Sequence, residues 1–287
     1  MSSDRRSALE LIREATGMLD GAQVHRSQWT AEQLLGARLG RHPVELYTDE
    51  PEVPAEEAVR FHADVAARAA GVPLQYLMGT ADFYGREFLV GPGVFIPRPE
   101  TEILVDVTLE LLQAPSRQAR GIRRVVDVGA GSGCIAVTLA LERPDLEVVA
   151  VELSAHAIAF ARRNAERLGG SIRLVQGSWM SGLKDGCSDL IVANPPYLDP
   201  GTVSRWPREL AWEPWVALDG GPGGSAQMEA LMRAAVRVLR PGGGLVLEIG
   251  MDQAGRLREM APGCGLSVEQ IRTDLADLDR VAVLTRG

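Results

Sequence analysis

One short motif, Asn194-Pro195-Pro196-Tyr197, carries the residue types needed to bind an amino nitrogen, and it directly follows an apolar stretch, 189–193, typical of a strand. An amide or aromatic amine nitrogen is a poor nucleophile because its lone pair is delocalised, so a site must bind its N–H groups and direct the lone pair at an electrophile. The Asn194 side-chain oxygen and the Pro195 carbonyl can each accept one N–H, while Tyr197 supplies an apolar wall. The motif predicts a nitrogen-modifying site with Asn194, Pro195 and Tyr197 as catalytic candidates.

A second motif is a turn of five small residues between a predicted strand and a predicted helix: Gly129, Ala130, Gly131, Ser132 and Gly133. Glycines let the backbone approach a ligand closely, and a helix N-terminus offers free N–H groups with positive potential. A nicotinamide dinucleotide site favours GxGxxG, but the third glycine position is Cys134, which disfavours a dehydrogenase. A tight turn without a ligand is the alternative interpretation.

An acid follows the next apolar strand, because Glu152 lies at the end of 147–153, some twenty residues past the glycines. Such an acid can accept hydrogen bonds from both ribose hydroxyls, so the loop and the acid together predict an adenosine-containing cofactor. An isolated acid at a strand end is more often a helix cap or a solvated residue.

These motifs lie in a region where apolar strand-like segments alternate with helical ones, which is typical of a parallel sheet covered on both faces. A last pair of strands, 266–271 and 280–284, is expected to add an antiparallel edge. The predicted strands of the parallel part are 124–128, 147–153, 172–176, 189–193 and 244–249, and the helices are 133–141, 154–168 and 225–239.

The first part of the chain has helical periodicity instead. Thr30 with Gln33 predicts a capping box at the start of one helix, and another helix is expected after Pro54. Glycines and aromatic residues then indicate a hairpin or extended linker. Another helix is expected after Arg98-Pro99, since proline and early acids favour helix starts.

Composition limits the partners and the compartment. The 287 residues carry 30 basic and 38 acidic side chains, a net charge of −8, so direct nucleic-acid binding is not expected. No apolar stretch is long enough to span a membrane, and no signal peptide is apparent. The cysteines are isolated, which predicts a reducing, cytoplasmic location and no zinc site.

Further motifs narrow the family. The sequence contains Ile96-Pro97-Arg98-Pro99-Glu100-Thr101-Glu102 upstream, together with Pro73-Leu74-Gln75-Tyr76, Phe83-Tyr84-Gly85, Glu213-Pro214 and Gly220-Gly221. With GxGxG, Glu152 and NPPY, this set resembles the PrmC/HemK family of peptide chain release factor N5-glutamine methyltransferases along nearly the whole chain. The combination of IPRPETE and NPPY is far more specific than either motif alone.

The resemblance implies a class I S-adenosylmethionine-dependent methyltransferase fold, a Rossmann-like and mostly parallel sheet with an antiparallel edge, plus a small N-terminal helical domain. It divides the chain into a release-factor-docking domain (1–73), a hairpin or linker (74–97) and a methyltransferase domain (98–287). The implied substrate is the glutamine of the Gly-Gly-Gln motif in class 1 release factors, and the by-product is S-adenosylhomocysteine, with no metal required.

The resemblance also implies the roles of individual residues. Asn194, Pro195, Pro196 and Tyr197 would hold the substrate glutamine. The residues implied to contact the cofactor are Gly129, Ala130, Gly131, Ser132, Gly133, Glu152, Trp179 and Asn194.

Some residues depart from the family pattern. Ser178 precedes Trp179 where an aspartate is common, which affects the expected contact to the adenine amine, and Glu152 replaces the more frequent aspartate. Trp206, Trp212 and Trp215 make the segment after NPPY rich in tryptophan, and core packing and substrate contact are equally compatible with it.

Two other functions fit parts of the pattern. An adenine-N6 methyltransferase acting on DNA or RNA would use the same two acceptors of NPPY, although the acidic charge disfavours it. A non-catalytic adaptor that binds a translation factor would keep the helical domain, but it would not need an intact GxGxG, Glu152 and NPPY.

Overall fold

A computed structural model describes residues 6–114, 121 and 123–287 of the chain. The residues divide into two compact units. The first, the helical unit, contains the described residues up to Thr80 together with Pro207–Trp212, and the second, the sheet unit, contains Ala81–Trp206 and Glu213–Gly287. The three-part division into 1–73, 74–97 and 98–287 remains a prediction.

The helical unit is built from amphipathic helices whose apolar faces share one core. Leu11, Leu35, Phe61 and Val65 are fully buried in it, as expected for helices with apolar residues at three- and four-residue spacing. Its helices are α1 (Ala8–Gly21), α2 (Ser27–Leu39), α3 (Glu45–Thr48), α4 (Ala55–Ala69) and α5 (Leu74–Met78). A two-residue antiparallel ladder pairs β1 (Arg6–Ser7) with β2 (Glu52–Val53), which precedes α4.

The predicted capping box at Thr30 is wrong, because α2 already begins at Ser27. Thr30 lies inside the helix, where it is buried and its backbone N–H donates to the Arg26 carbonyl at 2.9 Å. Arg26 occupies the cap position in the left-handed region. The Ser27 hydroxyl donates to the Val24 carbonyl instead, which ties the helix start to the preceding turn. The helix predicted after Pro54 is confirmed by α4.

The stretch expected to be a hairpin or linker begins with helix α5, which ends at Gly79 with a φ of +79°. The hairpin itself consists of β3 (Thr80–Phe83) and β4 (Arg86–Leu89). Tyr84 and Gly85 both have positive φ, the backbone that a tight two-residue hairpin turn requires. The helix predicted after Arg98 is confirmed as a 3-10 turn, Pro99–Thr101, leading into α6 (Glu102–Gln113).

The sheet unit contains the predicted mixed sheet. Five strands are parallel, and the last two run antiparallel at one edge, so the predicted fold class is confirmed. The spatial order is β10-β11-β9-β8-β5-β6-β7. The strands are β5 (Arg124–Val128), β6 (Glu147–Glu152), β7 (Ile172–Gln176), β8 (Ser188–Ala193), β9 (Leu239–Glu248), β10 (Leu266–Thr273) and β11 (Asp279–Arg286).

Helices cover both faces of this sheet, which explains why its central strands are apolar on both sides. Alternate residues of β5 enter different cores, with Val125 on one face and Val126 and Val128 on the other. The remaining helices are α7 (Cys134–Glu142), α8 (Ala155–Leu168), α9 (Ala226–Val238) and α10 (Ala254–Met260). The central strands are therefore buried on both faces, and the loops that follow them are left to carry the polar groups of a site.

Candidate active site

The register of the parallel strands places the three sequence motifs, together with Glu248, at the carboxyl ends of four neighbouring strands. Val128 of β5 pairs with Val151 of β6 and with Ala193 of β8, and Ala193 pairs with Leu247 of β9. The residues that follow are Glu152, Gly129, Asn194 and Glu248, in that spatial order. Carboxyl ends of parallel strands are where such sheets bind ligands, so the predicted site residues share one location.

The glycine loop has a backbone that other residues would adopt at a cost. Gly129, Gly131 and Gly133 have φ values of +76°, +55° and +81°. A Cβ at Gly133 would lie 3.0 Å from the Ala161 Cβ on α8, so glycine permits close packing there. A Cβ at Gly129 would meet no described atom within 4 Å, so this part of the loop borders open space.

Glu152 holds the glycine loop in place. Its carboxylate accepts the backbone N–H of Gly131 at 2.8 Å through Oε2 and that of Ser154 at 2.8 Å through Oε1. The Gly129 N–H donates in turn to the Val151 carbonyl at 2.9 Å. Each carboxylate oxygen has two lone pairs, so Glu152 retains acceptor capacity while it orients the loop.

Asp127 is a buried carboxyl directly beneath the loop. Its Oδ2 accepts the N–H of Ala136 on α7 at 3.0 Å, and its Oδ1 has no hydrogen-bond partner among the described residues. Burial raises the pKa of Asp127 to about 7, and the nearby charge of Glu152 acts in the same direction. The charged form of Asp127 is therefore destabilised at this position, because its carboxylate is removed from water beside the loop.

Trp179 lies at the same carboxyl-end side of the sheet, in the loop after β7. The Gly177 N–H donates to the Glu152 carbonyl at 3.0 Å, which brings this segment beside the acid. Trp179 has a φ of +48°, an uncommon value for a large side chain, and packs half-buried against an apolar core. Ser178 is exposed beside it.

The NPPY turn is anchored by a residue that the sequence did not single out as functional. Asn194 donates its Nδ2 to the Thr101 hydroxyl at 3.0 Å. Thr101 is buried, and it belongs to the IPRPETE segment 93 residues earlier. Since Nδ2 is bound there, Oδ1 of Asn194 remains the acceptor available to a ligand. Pro195 is buried behind it.

Tyr197 and Glu248 complete this end of the site. Burial raises the pKa of Glu248 to about 7, and the neighbouring Thr101 hydroxyl acts in the opposite direction. Burial also raises the pKa of Tyr197 well above its ordinary range, so its hydroxyl stays protonated. Oε2 of Glu248 has no hydrogen-bond partner within the described part of the chain.

The segment after NPPY is a closed loop. The Leu198 N–H donates to the Leu218 carbonyl at 3.0 Å, and the Gly220 N–H returns a bond to the Leu198 carbonyl at 2.9 Å. A Cβ at Gly220 would lie 2.6 Å from the Gly224 carbonyl oxygen, which explains glycine there. The loop therefore returns to the strand end where it started.

Two further residues position the site without having been predicted to. Asn164 on α8 is fully buried and donates to the carbonyls of Leu89 and Ser132, at 3.0 and 2.9 Å, so it ties the hairpin to the glycine loop. Glu213 is buried and accepts from the Ile96 N–H at 3.0 Å and from Arg98. In the sequence, only its place in the Glu213-Pro214 motif pointed to Glu213, and no pattern pointed to Asn164.

The tryptophans of this segment do not form a core. Trp212 and Trp215 are about half exposed. Trp206 and Trp215 stack with ring centroids 5.4 Å apart, and their indole N–H groups donate to Thr202 and Asp219 at 3.0 Å each. Core packing is therefore excluded for Trp212 and Trp215.

The described residues offer neither a cluster of metal ligands nor a membrane-spanning helix. No group of three or more His, Cys, Asp or Glu side chains suited to a metal ion occurs there. Within residues 6–114, 121 and 123–287, no helix is both long and apolar enough to cross a bilayer.

Comparison with known proteins identifies the class and then the family. Residues 87–206 match the methyltransferase small domain, and residues 10–79 match the PrmC N-terminal domain. The crystal structure of a methyltransferase from Pyrococcus furiosus superposes with a TM-score of 0.51 at 19% identity, covering 81% of this chain and 99% of that one. With the strand-edge site, these matches define an S-adenosylmethionine-dependent methyltransferase of class I fold.

Two curated relatives are particularly informative. The release factor glutamine methyltransferase of Geobacter sulfurreducens is 41% identical over 92% of both chains. That of Nitratidesulfovibrio vulgaris is 39% identical over 96% of this chain and 94% of its own. The chain belongs to the family of release factor glutamine methyltransferases.

Proposed function

We propose that the protein transfers a methyl group from S-adenosylmethionine to the side-chain amide nitrogen (N5) of the glutamine in the Gly-Gly-Gln motif of class 1 release factors. The observation that carries this proposal is that relatives named for this reaction align along nine-tenths of both chains. The acceptor chemistry of Asn194 and Pro195 agrees with it, because an amide nitrogen offers two N–H groups to be bound.

The residues at the strand edge fit the cofactor. The glycine loop 129–133 offers backbone at close range beside open space, and Glu152 has lone pairs free for ribose hydroxyls. Trp179 lies beside the acid and provides an aromatic face. The bound cofactor supplies an electrophilic methyl group on a sulfonium sulfur. Asn194, one strand away from the glycine loop, would lie near that methyl group.

Positioning is expected to supply most of the rate, since the electrophile is already strong. Asn194 Oδ1 and the Pro195 carbonyl accept the two N–H groups of the glutamine, so that its nitrogen lone pair faces the methyl group. Pro196 stiffens the turn, and Tyr197 with its protonated hydroxyl forms the wall against which the amide lies. One N–H proton leaves after the nitrogen has gained its methyl group.

The helical unit is proposed to dock the release factor in the cytoplasm. Trp29 on α2 is 40% exposed, with the Arg26 guanidinium over its ring at 4.7 Å, and exposed tryptophans often anchor protein interfaces. Trp29→Ala should therefore raise the KM for the intact release factor several-fold but leave the KM for a short Gly-Gly-Gln peptide unchanged. Equal effects on both substrates would contradict the docking role.

The direct test uses the full-length protein, S-adenosylmethionine and unmethylated class 1 release factors, with fragmentation mass spectrometry of the Gly-Gly-Gln peptide. One added methyl on the glutamine is the expected result. Methyl incorporation into DNA or RNA instead would support the adenine-N6 alternative. Failure to bind S-adenosylmethionine by calorimetry would support the non-catalytic adaptor.

A further inference from the structure

We infer that Gln253 is a positioning residue for methyl transfer, because its side-chain amide holds the end of the Asn194–Tyr197 turn that receives the acceptor. The inference rests on the proposed function, in which this turn binds the amide nitrogen of a glutamine. Gln253 acts through the backbone of Tyr197, which distinguishes it from a residue that binds the reacting nitrogen itself.

Two consecutive prolines make this turn difficult to hold through its own backbone. Pro195 and Pro196 have no N–H group, so neither can donate a hydrogen bond to the surrounding elements. The Tyr197 carbonyl comes directly after them and accepts from Nε2 of Gln253 at 3.3 Å. A side chain from another part of the sheet unit therefore fixes the end of the turn.

The amide of Gln253 matches the groups around it. Its Oε1 accepts the Gly250 N–H at 2.9 Å, and its Nε2 donates to the Gly224 carbonyl at 2.7 Å as well as to that of Tyr197. One acceptor and two N–H donors thus meet one N–H and two carbonyls, a combination that a carboxylate, a hydroxyl or an ammonium cannot reproduce. Gln253 is only 6% exposed, so water has little access to these bonds.

The position of Gln253 in the chain favours a tertiary role. It precedes α10 as the cap residue, where a polar side chain usually accepts from an N–H of the first helical turn. Within the described residues, its side chain makes no such capping bond. It instead joins three segments: the end of β9 at Gly250, the turn after β8 at Tyr197, and the glycine-rich loop before α9 at Gly224.

Glycines allow the close approach that this junction needs. Gly224 has a φ of +69°, and a Cβ there would overlap the Tyr197 carbonyl oxygen. A Cβ at Gly220 would lie 2.8 Å from the Tyr197 carbonyl carbon. The Tyr197 peptide is therefore packed between two glycines, and Gln253 bonds both to that peptide and to one of the glycines.

Loss of this amide should affect alignment more than binding of the cofactor. Two carbonyls would lose their donor in a buried place, and the turn can relieve that cost by shifting. The Pro195 carbonyl and the Tyr197 ring would move with it, and a displacement of about 1 Å can lower a rate by about 100-fold. The glycine loop 129–133 follows a different strand, β5, and makes no use of Gln253.

The decisive variants are Gln253→Met, which keeps a side chain of similar length without hydrogen bonds, and Gln253→Glu, which keeps the acceptor for Gly250 but loses both donors. We expect Gln253→Met to lower kcat for the release factor by about 30-fold. KM and the affinity for S-adenosylmethionine, measured by calorimetry, should change much less. Gln253→Glu should lose at least as much activity, because a carboxylate would face two carbonyl oxygens.

Leu257→Ala is the matched control for a purely structural effect. It removes a fully buried side chain from the same helix but none of these hydrogen bonds, so it should lower Tm at least as much and leave kcat close to that of the wild type. Wild-type kcat in Gln253→Met would overturn the inference. A fall in kcat that merely follows the fall in Tm, with the same relation in Leu257→Ala, would overturn it too.

A second measurement needs neither a variant nor a substrate. In protein with 15N-labelled glutamine, the side-chain NH2 of Gln253 should exchange with water at least about tenfold more slowly than that of Gln270, which is exposed. Equal exchange at both positions would overturn the inference. If the wild type fails to methylate the release factor, the proposed function fails, while the exchange data still decide whether Gln253 holds the turn.

Discussion

The two halves of the strand-edge site are built in different ways. The cofactor side, which consists of the glycine loop 129–133 and Glu152, uses backbone N–H groups and positive φ angles within a short span of sequence. The acceptor side, which consists of Thr101, Asn194 and Glu248, uses side chains from three separate segments. The first half is shaped by local conformation, and the second half by the packing of distant elements.

This difference implies different responses to substitution. On the cofactor side, a side-chain change acts through the shape of the loop and should alter mainly affinity. On the acceptor side, a change acts on hydrogen bonds to the reacting nitrogen and should alter mainly kcat.

Asn194→Ala should give the largest difference between the effect on the methylation rate and the effect on cofactor affinity. Removing the acceptor at the reacting nitrogen should lower the methylation rate by about 100- to 1,000-fold, comparable to the loss of one preorganised hydrogen bond in an active site. Binding of S-adenosylmethionine, measured by calorimetry, should remain close to that of the wild type. Near-normal turnover would remove Asn194 from the catalytic group.

A feature common to both halves is a buried carboxyl with a raised pKa, Asp127 on one side and Glu248 on the other. The stability contributed by protonated Asp127 is fully present below about pH 4 and is lost as the pH rises through about 7. From pH 5 to 8 this group should lower the free energy of unfolding by about 2 to 3 kcal/mol.

Asp127→Asn should remove that share of the pH dependence, as measured by urea unfolding at several pH values. Asp145→Asn is a matched control, since Asp145 is a surface carboxyl whose pKa is lowered by its hydrogen bond to Arg143. An unchanged slope in Asp127→Asn would show that Asp127 is not the titrating group.

Glu152→Gln should weaken S-adenosylmethionine binding by about 10- to 30-fold, because one amide oxygen replaces two charged acceptors for Gly131, Ser154 and the ribose. The rate at saturating cofactor should change little. Glu147→Gln, at the opposite end of the same strand, is the control and should bind the cofactor normally. A fall in kcat larger than the fall in cofactor affinity would contradict the prediction that changes on the cofactor side act mainly on affinity.

The smallest effect is expected for Gly133→Ala, where a φ of +81° and the 3.0 Å approach to Ala161 together should cost about 1 kcal/mol of stability. Cofactor affinity should fall with it. Gly255→Ala is the matched control, because a Cβ there meets no described atom within 4 Å and alanine has a higher helix propensity than glycine in α10. Equal Tm changes in both variants would contradict the local-conformation account.

Much of the fold could be predicted from periodicity. The five parallel strands, their helices and the antiparallel edge follow from apolar patterns whose period matches the element they form. The capping box at Thr30 failed for a local reason, since the same residue types also occur inside a buried helix turn. Helix α5 lies within the stretch that the sequence predicted to be a hairpin or linker, so this short helix was missed.

The sequence by itself determined the motifs whose function resides in local backbone: the glycine loop, the acid one strand later, and the stiff turn that contains Asn194. Only the tertiary structure decided what surrounds them. Thr101 meets Asn194, and Asn164 meets Ser132, across 93 and 32 residues. Local pattern reports the conformation of neighbouring residues, whereas strand register and helix packing determine which distant polar groups share a buried hydrogen bond.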